Sequence, residues 1–210
     1  MGHARGVGWR GVTDGPPDVS WPLLVAAYRA GYFPMGMDDG EIGWFSPDPR
    51  AILPLDTFHV PRRLGRLIRS KAFSVTTDTA FRRVMDACAA QRGEGTWITA
   101  EILEVYGQLF DRGLAHSVEV WRDGALAGGL YGVSLGGAFF GESMFHRVTG
   151  ASKVALVGLV ERLRSRGYVL LDTQWTTPLL ETFGAVEIPR DLYLARLEQA
   201  IPLDCRFGDR

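Results

Sequence analysis

The sequence predicts an α+β fold, and three observations predict it. Apolar residues recur at helical spacing over residues 78–112 and again over 149–166. Between these regions, HSVEVWRDGALAGGLYGVSLGGAFFGESMF alternates well and carries two pairs of turn residues. A single apolar strand, YVLLDTQ, follows the second helical region, which makes a β-α-β step near residues 138–174.

Each element has a local cause. The first helix is expected over 20–30, with Ser20 at the cap, Pro22 in the first turn and Gly31 as the stop. The next stretch, GYFPMGMDDGEIGWFSPDPRAILPLDTFHVP, is rich in Pro, Gly and aromatic residues and reads as short strands and turns. A basic helix then runs from about Pro61 to Arg69, and FSVTTD is a short strand. Residues 78–90 form a helix with Phe81, Val84, Met85 and Cys88 on one face. Thr99 caps a further helix that ends at Gly113. Asp123-Gly124 and Gly136-Gly137 are hairpin turn signals, so the alternating stretch folds as a three-stranded meander. The strongest helix starts near Thr149 or Ser152 and ends at Gly167, and a last helix lies near 191–200. The change of texture at residue 61 divides the chain into a small N-terminal α/β domain, 1–60, and a main domain, 61–210. Residues 1–18 are Gly-rich, lack an apolar core and read as a loose tail.

Composition removes several function classes. With 46% hydrophobic and 22% charged residues, the 210-residue chain has ordinary globular composition. No apolar run approaches the ~18–20 residues of a membrane span, so no membrane partner is expected and the cytosol is the default location. Cys88 and Cys205 match no metal or redox spacing. Net charge is −1, yet Arg62, Arg63, Arg66 and Arg69 fall within one short helix. Arg62, Arg66 and Arg69 share a face, which is either a solvated surface or a phosphate-binding patch.

Three features bear on chemistry. In FFGESMFHR, Glu142 lies in an apolar strand, and a buried carboxylate is costly unless paired. Arg147, an exposed strand end or a bound cation would each account for it. Asp172 and Gln174 stand two apart on YVLLDTQ and so share a strand face. Arg147-Val-Thr-Gly150-Ala-Ser152 partly matches the Q/R-x-x-G-x-G/A phosphate loop of N-acetyltransferases, whose layout the meander, helix and strand also share, but departs at Ser152.

Five segments in order carry a more specific likeness: LLVAAYRAGYFPMG, WFSPDPRAILPLD, EGTWIT, HSVEVWRDGALAGGLYGV with GESMF, and LLDTQ with FGAVEIPR. Over about residues 23–200 the chain resembles the leucyl/phenylalanyl-tRNA–protein transferases. The resemblance implies an acetyltransferase-like (GNAT-like) main domain behind a small N-terminal one. It implies transfer of Leu, Phe or Met from aminoacyl-tRNA to proteins with an N-terminal Arg or Lys, marking them for degradation. The ester carries the activation, so no cofactor or metal is expected, and a monomer is expected. It places Glu142 beside the aminoacyl ammonium and Gln174 beside the attacking amine. Asp172 becomes the partner of Gln174, the proton acceptor or the counter-charge for the acceptor. Leu130, Phe139, Leu156, Leu159, Leu163 and Leu171 become the side-chain pocket. Trp44 and Trp97 are candidates to stack on the terminal adenine or shape its slot, with buried structural Trp as the rival reading, and Arg62, Arg63, Arg66 and Arg69 become tRNA contacts. Tyr106 and His116 match family positions without a role. Two departures stand out: PPDVSW replaces the usual Gly-Gly-Asp-Leu-type stretch, and Leu179 stands where the family pattern has a His. The rival readings are an acetyl-CoA-dependent N-acetyltransferase and a non-catalytic binder of protein N-termini.

Overall fold

The computed structural model describes residues 19–92 and 96–208. The tail expected over 1–18 lies outside the described residues. Ser20 precedes helix α1 (Trp21–Arg29), and a hairpin follows, β1 (Phe33–Gly36) with β2 (Ile42–Phe45), paired antiparallel. Strand β3 (Arg50–Ile52) leads to the basic helix α2 (Arg62–Arg69) and to β4 (Ser74–Thr77). Helices α3 (Phe81–Arg92) and α4 (Ala100–Asp111) come next, the latter capped by Thr99, whose Oγ1 accepts the Ile102 N–H at 3.3 Å.

The meander is β5 (Ala115–Arg122), β6 (Ala125–Leu135) and β7 (Ala138–His146). Asp123 and Gly124 both take positive φ at the first turn, as a two-residue hairpin of native twist requires. At the second turn Gly136 has φ +57°, and a Cβ there would collide with the Ile201 carbonyl, so only glycine fits. Helix α5 (Ala151–Ser165) crosses over to β8 (Leu170–Gln174), which pairs parallel with β7. A short α6 (Pro178–Glu181), strand β9 (Val186–Ile188) and helix α7 (Arg190–Ala200) complete the described elements.

One mixed sheet runs β4-β5-β6-β7-β8-β3-β9. One face buries Leu24, Tyr28, Val84, Ile102, Tyr106 and Leu197 from α1, α3, α4 and α7. The other buries Val154, Leu156, Leu159, Val160 and Leu163 from α5. The α+β arrangement, with its meander, crossover helix and parallel strand, is the one the sequence predicts.

Helix α5 begins between Thr149 and Ser152, as expected, with Gly150 at its cap at φ +90° and no side-chain bond there. One local expectation changes. Strand β3 belongs to residues 1–60, yet it is hydrogen-bonded between β8 and β9 inside the large sheet. All three of its residues, Arg50, Ala51 and Ile52, are buried.

Candidate active site

The site begins where two strands part. Pairing between β7 and β8 covers Ala138–Leu170, Phe139–Leu171 and Phe140–Asp172, and then stops. Both strands continue, and a cavity of about 360 Å³ is lined by Gly141 to Met144 from one and by Leu171, Thr173 and Gln174 from the other. That size suits a small-molecule group, for which pockets start at ~300 Å³.

A β-bulge sets the direction of Glu142. Tyr131 pairs with Ser143 while Gly132 pairs with Gly141, so Glu142 is the extra residue. The faces confirm the count: Phe140 and Phe145 lie in the same core although five residues apart, whereas a regular strand returns to one face only at even spacing. Glu142 is thereby turned toward three donors. Its Oε1 accepts from the Tyr28 hydroxyl at 2.7 Å and from Gln174 Nε2 at 3.2 Å, and its Oε2 accepts from the Tyr106 hydroxyl at 3.1 Å. The two hydroxyls also hydrogen-bond to each other. Burial pushes the Glu142 carboxyl up to about 7, and the two tyrosine hydroxyls oppose that rise. Burial first, and Glu142 second, raise both tyrosines well above their ordinary range, so they remain donors.

Gln174 is held in an unusual backbone state. Its φ is +60°, and the Trp175 N–H donates to the Thr173 carbonyl at 2.7 Å across it, a γ-turn of the rare positive-φ kind. Such a conformation persists only where the surroundings impose it. Asp172 does so, since its Oδ1 accepts the Gln174 N–H at 2.9 Å. Asp172 is itself fixed by a two-pronged ion pair: Arg50 Nε reaches Oδ1 at 2.9 Å and Nη2 reaches Oδ2 at 2.6 Å. The Tyr193 hydroxyl donates to Oδ2 at 2.8 Å, and Arg50 Nη1 donates to the Gly31 carbonyl at 2.9 Å. The guanidinium lies over the rings of Phe33 and Tyr193, at 4.8 and 4.4 Å. Burial alone would lower the Arg50 pKa, but the Asp172 carboxylate outweighs it and the net direction is upward.

Of the three roles open for Asp172, this geometry favours partner of Gln174. Asp172 and Arg50 are both 0% exposed and paired with each other, so the carboxylate faces the Gln174 turn and Arg50 and does not face the cavity.

The rest of the cavity sorts the remaining candidates. Leu130, Leu156, Leu159 and Leu171 line it, joined by Met144, Leu179 and Leu180. Phe33, Met35, Trp97 and Trp175 add the aromatic and Met side chains. Phe139 and Leu163 are fully buried elsewhere, Phe139 stacked on Phe207 at 5.4 Å. Trp44, on β2, is half-buried against the core and is not part of the wall. The Ser143 and Thr173 hydroxyls, both in the wall, have no hydrogen-bond partner among the described residues. His116 stands apart, bonded to Asp78 at 2.8 Å and stacked on Phe207 at 4.4 Å. Arg147 does not pair with Glu142; its guanidinium lies 5.7 Å from the centre of the Phe145 ring. Among the described residues, no group of three or more His, Cys, Asp or Glu could hold a metal.

A family model described as leucyl/phenylalanyl-tRNA protein transferase matches residues 52–198, and the model of that family's N-terminal domain matches residues 17–48. The chain belongs to this family. A leucyl/phenylalanyl-tRNA–protein transferase of Salinibacter ruber is 56% identical over 187 residues, 89% of this chain and 82% of the relative. One from Herpetosiphon aurantiacus is 55% identical over 186 residues, 88% and 96% of the two chains. Among solved structures, a GCN5-related glucosamine N-acetyltransferase region of a fungal β-N-acetylglucosaminidase aligns with TM-score 0.49 at 11% identity, over 83% of this chain and 23% of that one.

Family membership gives the two departures a structural setting. Leu179, where the family pattern has a His, lies in the cavity wall at the start of α6, so the change makes that wall more apolar. Of the altered N-terminal stretch, residues 16–18 lie outside the described residues, and Ser20 and Trp21 open α1, which delivers Tyr28 to Glu142. Sequence reading missed Tyr28, Arg50, Tyr193, Met144 and Trp175. Arg50 carried a signal, since it closes the W-x-S-P-D-P-R string and is followed at once by apolar residues. The tyrosines carried none, because their partners are up to 114 residues away in the chain.

The basic helix lies outside the cavity. Arg62, Arg63, Arg66 and Arg69 all reach solvent, and Arg62, Arg66 and Arg69 border a shallow hollow with Val60 and Gly65. Helix α2 packs on α5, the helix that supplies Leu156 and Leu159 to the cavity. No helix among the described residues is long and apolar enough to cross a membrane.

Proposed function

We propose that the chain transfers Leu or Phe, and also Met, from aminoacyl-tRNA to the N-terminal Arg or Lys of acceptor proteins, and that the β7–β8 cavity is where the ester reacts. The observation that carries this reading is Glu142: a carboxylate under hydroxyl and amide donors at the edge of an apolar cavity. An aminoacyl ester offers the complement, an ammonium one carbon away from an apolar side chain. Charge-assisted contacts of this kind are the strong ones. A wall of leucines separates similar side chains weakly, since one methylene is worth ~1–3 kcal/mol, which supports overlapping donors.

Gln174 orients the nucleophile. Its Nε2 donates to Glu142, so its Oε1 is the free end of the amide and accepts from the incoming α-amine. An amide is not a base, and the proton released on attack leaves with the ribose oxygen. A C–N bond forms, the ester C–O bond breaks, and the ester itself supplies the driving force. Trp97 lines the cavity, which supports it as the group that stacks on the terminal adenine or shapes its slot. Charged tRNA as donor supports a cytosolic setting.

Two measurements test the reading. Labelled Leu-tRNA with an Arg-starting peptide yields labelled peptide, and absence of transfer with intact charged tRNA sinks the proposal. The α2 arginines should act by binding backbone phosphate. Replacing Arg62, Arg66 and Arg69 together by Gln is expected to raise the KM for charged tRNA. It should also flatten the salt dependence, by about 0.7–0.9 in log-log slope for each phosphate left without its arginine. The KM for a short aminoacyl-nucleoside donor should not move; a parallel rise there would place these arginines at the cavity instead.

A further inference from the structure

We propose that Trp175 is the platform on which the cationic side chain of the acceptor's N-terminal residue stacks, an assignment that rests on the transferase reading above. The positive-φ turn at Gln174 carries Trp175 off the end of β8, where it lines the cavity with 41% of its surface exposed. It is not loose there. Phe33 meets it edge-to-face at 5.1 Å with an interplanar angle of 88°, and Phe45 at 6.2 Å and 64°. A large aromatic held in place yet left open to solvent is a feature of recognition surfaces.

The charges around the cavity point to what it recognises. The acceptor brings a guanidinium or ammonium into the neighbourhood of the reacting amine. Among the described residues lining the cavity, Glu142 is the only acid, and it faces the donor ammonium. Asp172 is sealed off and neutralised by Arg50. The acceptor cation therefore meets no free carboxylate in the wall, and an open tryptophan face is what remains to attract it. Position agrees with this. Trp175 is the residue after Gln174, whose amide oxygen addresses the α-amine, so amine and side chain of one acceptor residue meet two adjacent residues of the enzyme. Trp97 and Trp175 then divide the work between adenine and acceptor.

The test is a KM split. Transfer from saturating Phe-tRNA is measured to an Arg-starting peptide and to the same peptide starting with citrulline, a neutral isostere. Wild type, Trp175→Leu, Trp175→Phe and a variant with Asp38→Asn, Asp39→Asn and Glu41→Gln are compared. Trp175→Leu should raise the KM for the Arg peptide about 2- to 30-fold. It should also shrink the preference over citrulline and leave the KM for Phe-tRNA unchanged, while Trp175→Phe, which keeps a ring, should fall between. A rise in the Phe-tRNA KM with acceptor KM intact would overturn the proposal in favour of adenine stacking. Loss of the Arg preference only in the variant of the exposed β1–β2 turn acids would overturn it in favour of those carboxylates. No transfer by wild type to either peptide would instead sink the transferase reading, and this assignment with it.

Discussion

Replacing Asp172 by Ala is expected to destabilise the fold by about 3–5 kcal/mol, because it strands a fully buried guanidinium. That is a large part of the ~5–15 kcal/mol that holds a domain of this kind together. Urea unfolding would show it as a fall in midpoint at constant slope. The same change removes the acceptor of the Gln174 N–H, and with it the constraint on the positive-φ turn. Stability and positioning can be separated with the paired variant Arg50→Met/Asp172→Leu. Apolar replacement of both members of a buried ion pair is often neutral or stabilising. This variant should recover most of the lost stability, yet transfer should stay at least about 100-fold down, since a misplaced reacting group costs on that order. Recovery of both stability and activity would mean that the pair only supports the fold.

Glu142→Gln should act with opposite signs on stability and on activity. The Glu142 carboxyl is raised to about 7 by burial, so in the folded protein it favours the neutral form. Its contribution to stability is complete below the ordinary carboxylate range of ~4.3 and is lost as pH rises through about 7, by roughly 4 kcal/mol at most. The Gln variant carries no such loss and should be the more stable protein at pH 8 and the less favoured one at pH 4. Donor recognition runs the other way, because pairing with an ammonium needs the ionised carboxylate. In the wild type, kcat/KM for Phe-tRNA should climb as pH rises through about 7. It should decline again once the donor amine, of ordinary pKa ~7.7–8.0, loses its proton. The Gln variant should lose the acid limb and about 10- to 100-fold in kcat/KM, the value of a hydrogen bond to a charged group. An acid limb at about 7 that survives the substitution unchanged would assign it to another group, such as the acceptor α-amine, which must lose its own proton before it attacks.

The α+β class, the meander with its two turns, the crossover helix and the place of Gln174 at the end of β8 were all legible in the chain, because turn residues and apolar periodicity act over a few residues. The importance of Glu142 was legible too, as a carboxylate in apolar company. What it bonds to was not. Arg147, five residues away, was the natural guess, and the actual partners come from α1, α4 and β8. The same holds for the pocket: Phe139 and Leu171 pair across β7 and β8, but only Leu171 lines the cavity. The bulge at Glu142 resets the alternation from that point, and a bulge is a property of two strands in register, not of one.

The sequence by itself determined the family, the order of elements and the identity of the two residues proposed to meet the reacting groups, since short motifs and local periodicity record these directly. Only the tertiary structure decided that Asp172 is sealed from solvent, that Arg50 is its counter-ion from 122 residues away, and that Trp175 stands open at the cavity. Burial depends on what the rest of the chain places around a side chain, and for an arginine or an aspartate that is what separates a solvated charge from the core of a site.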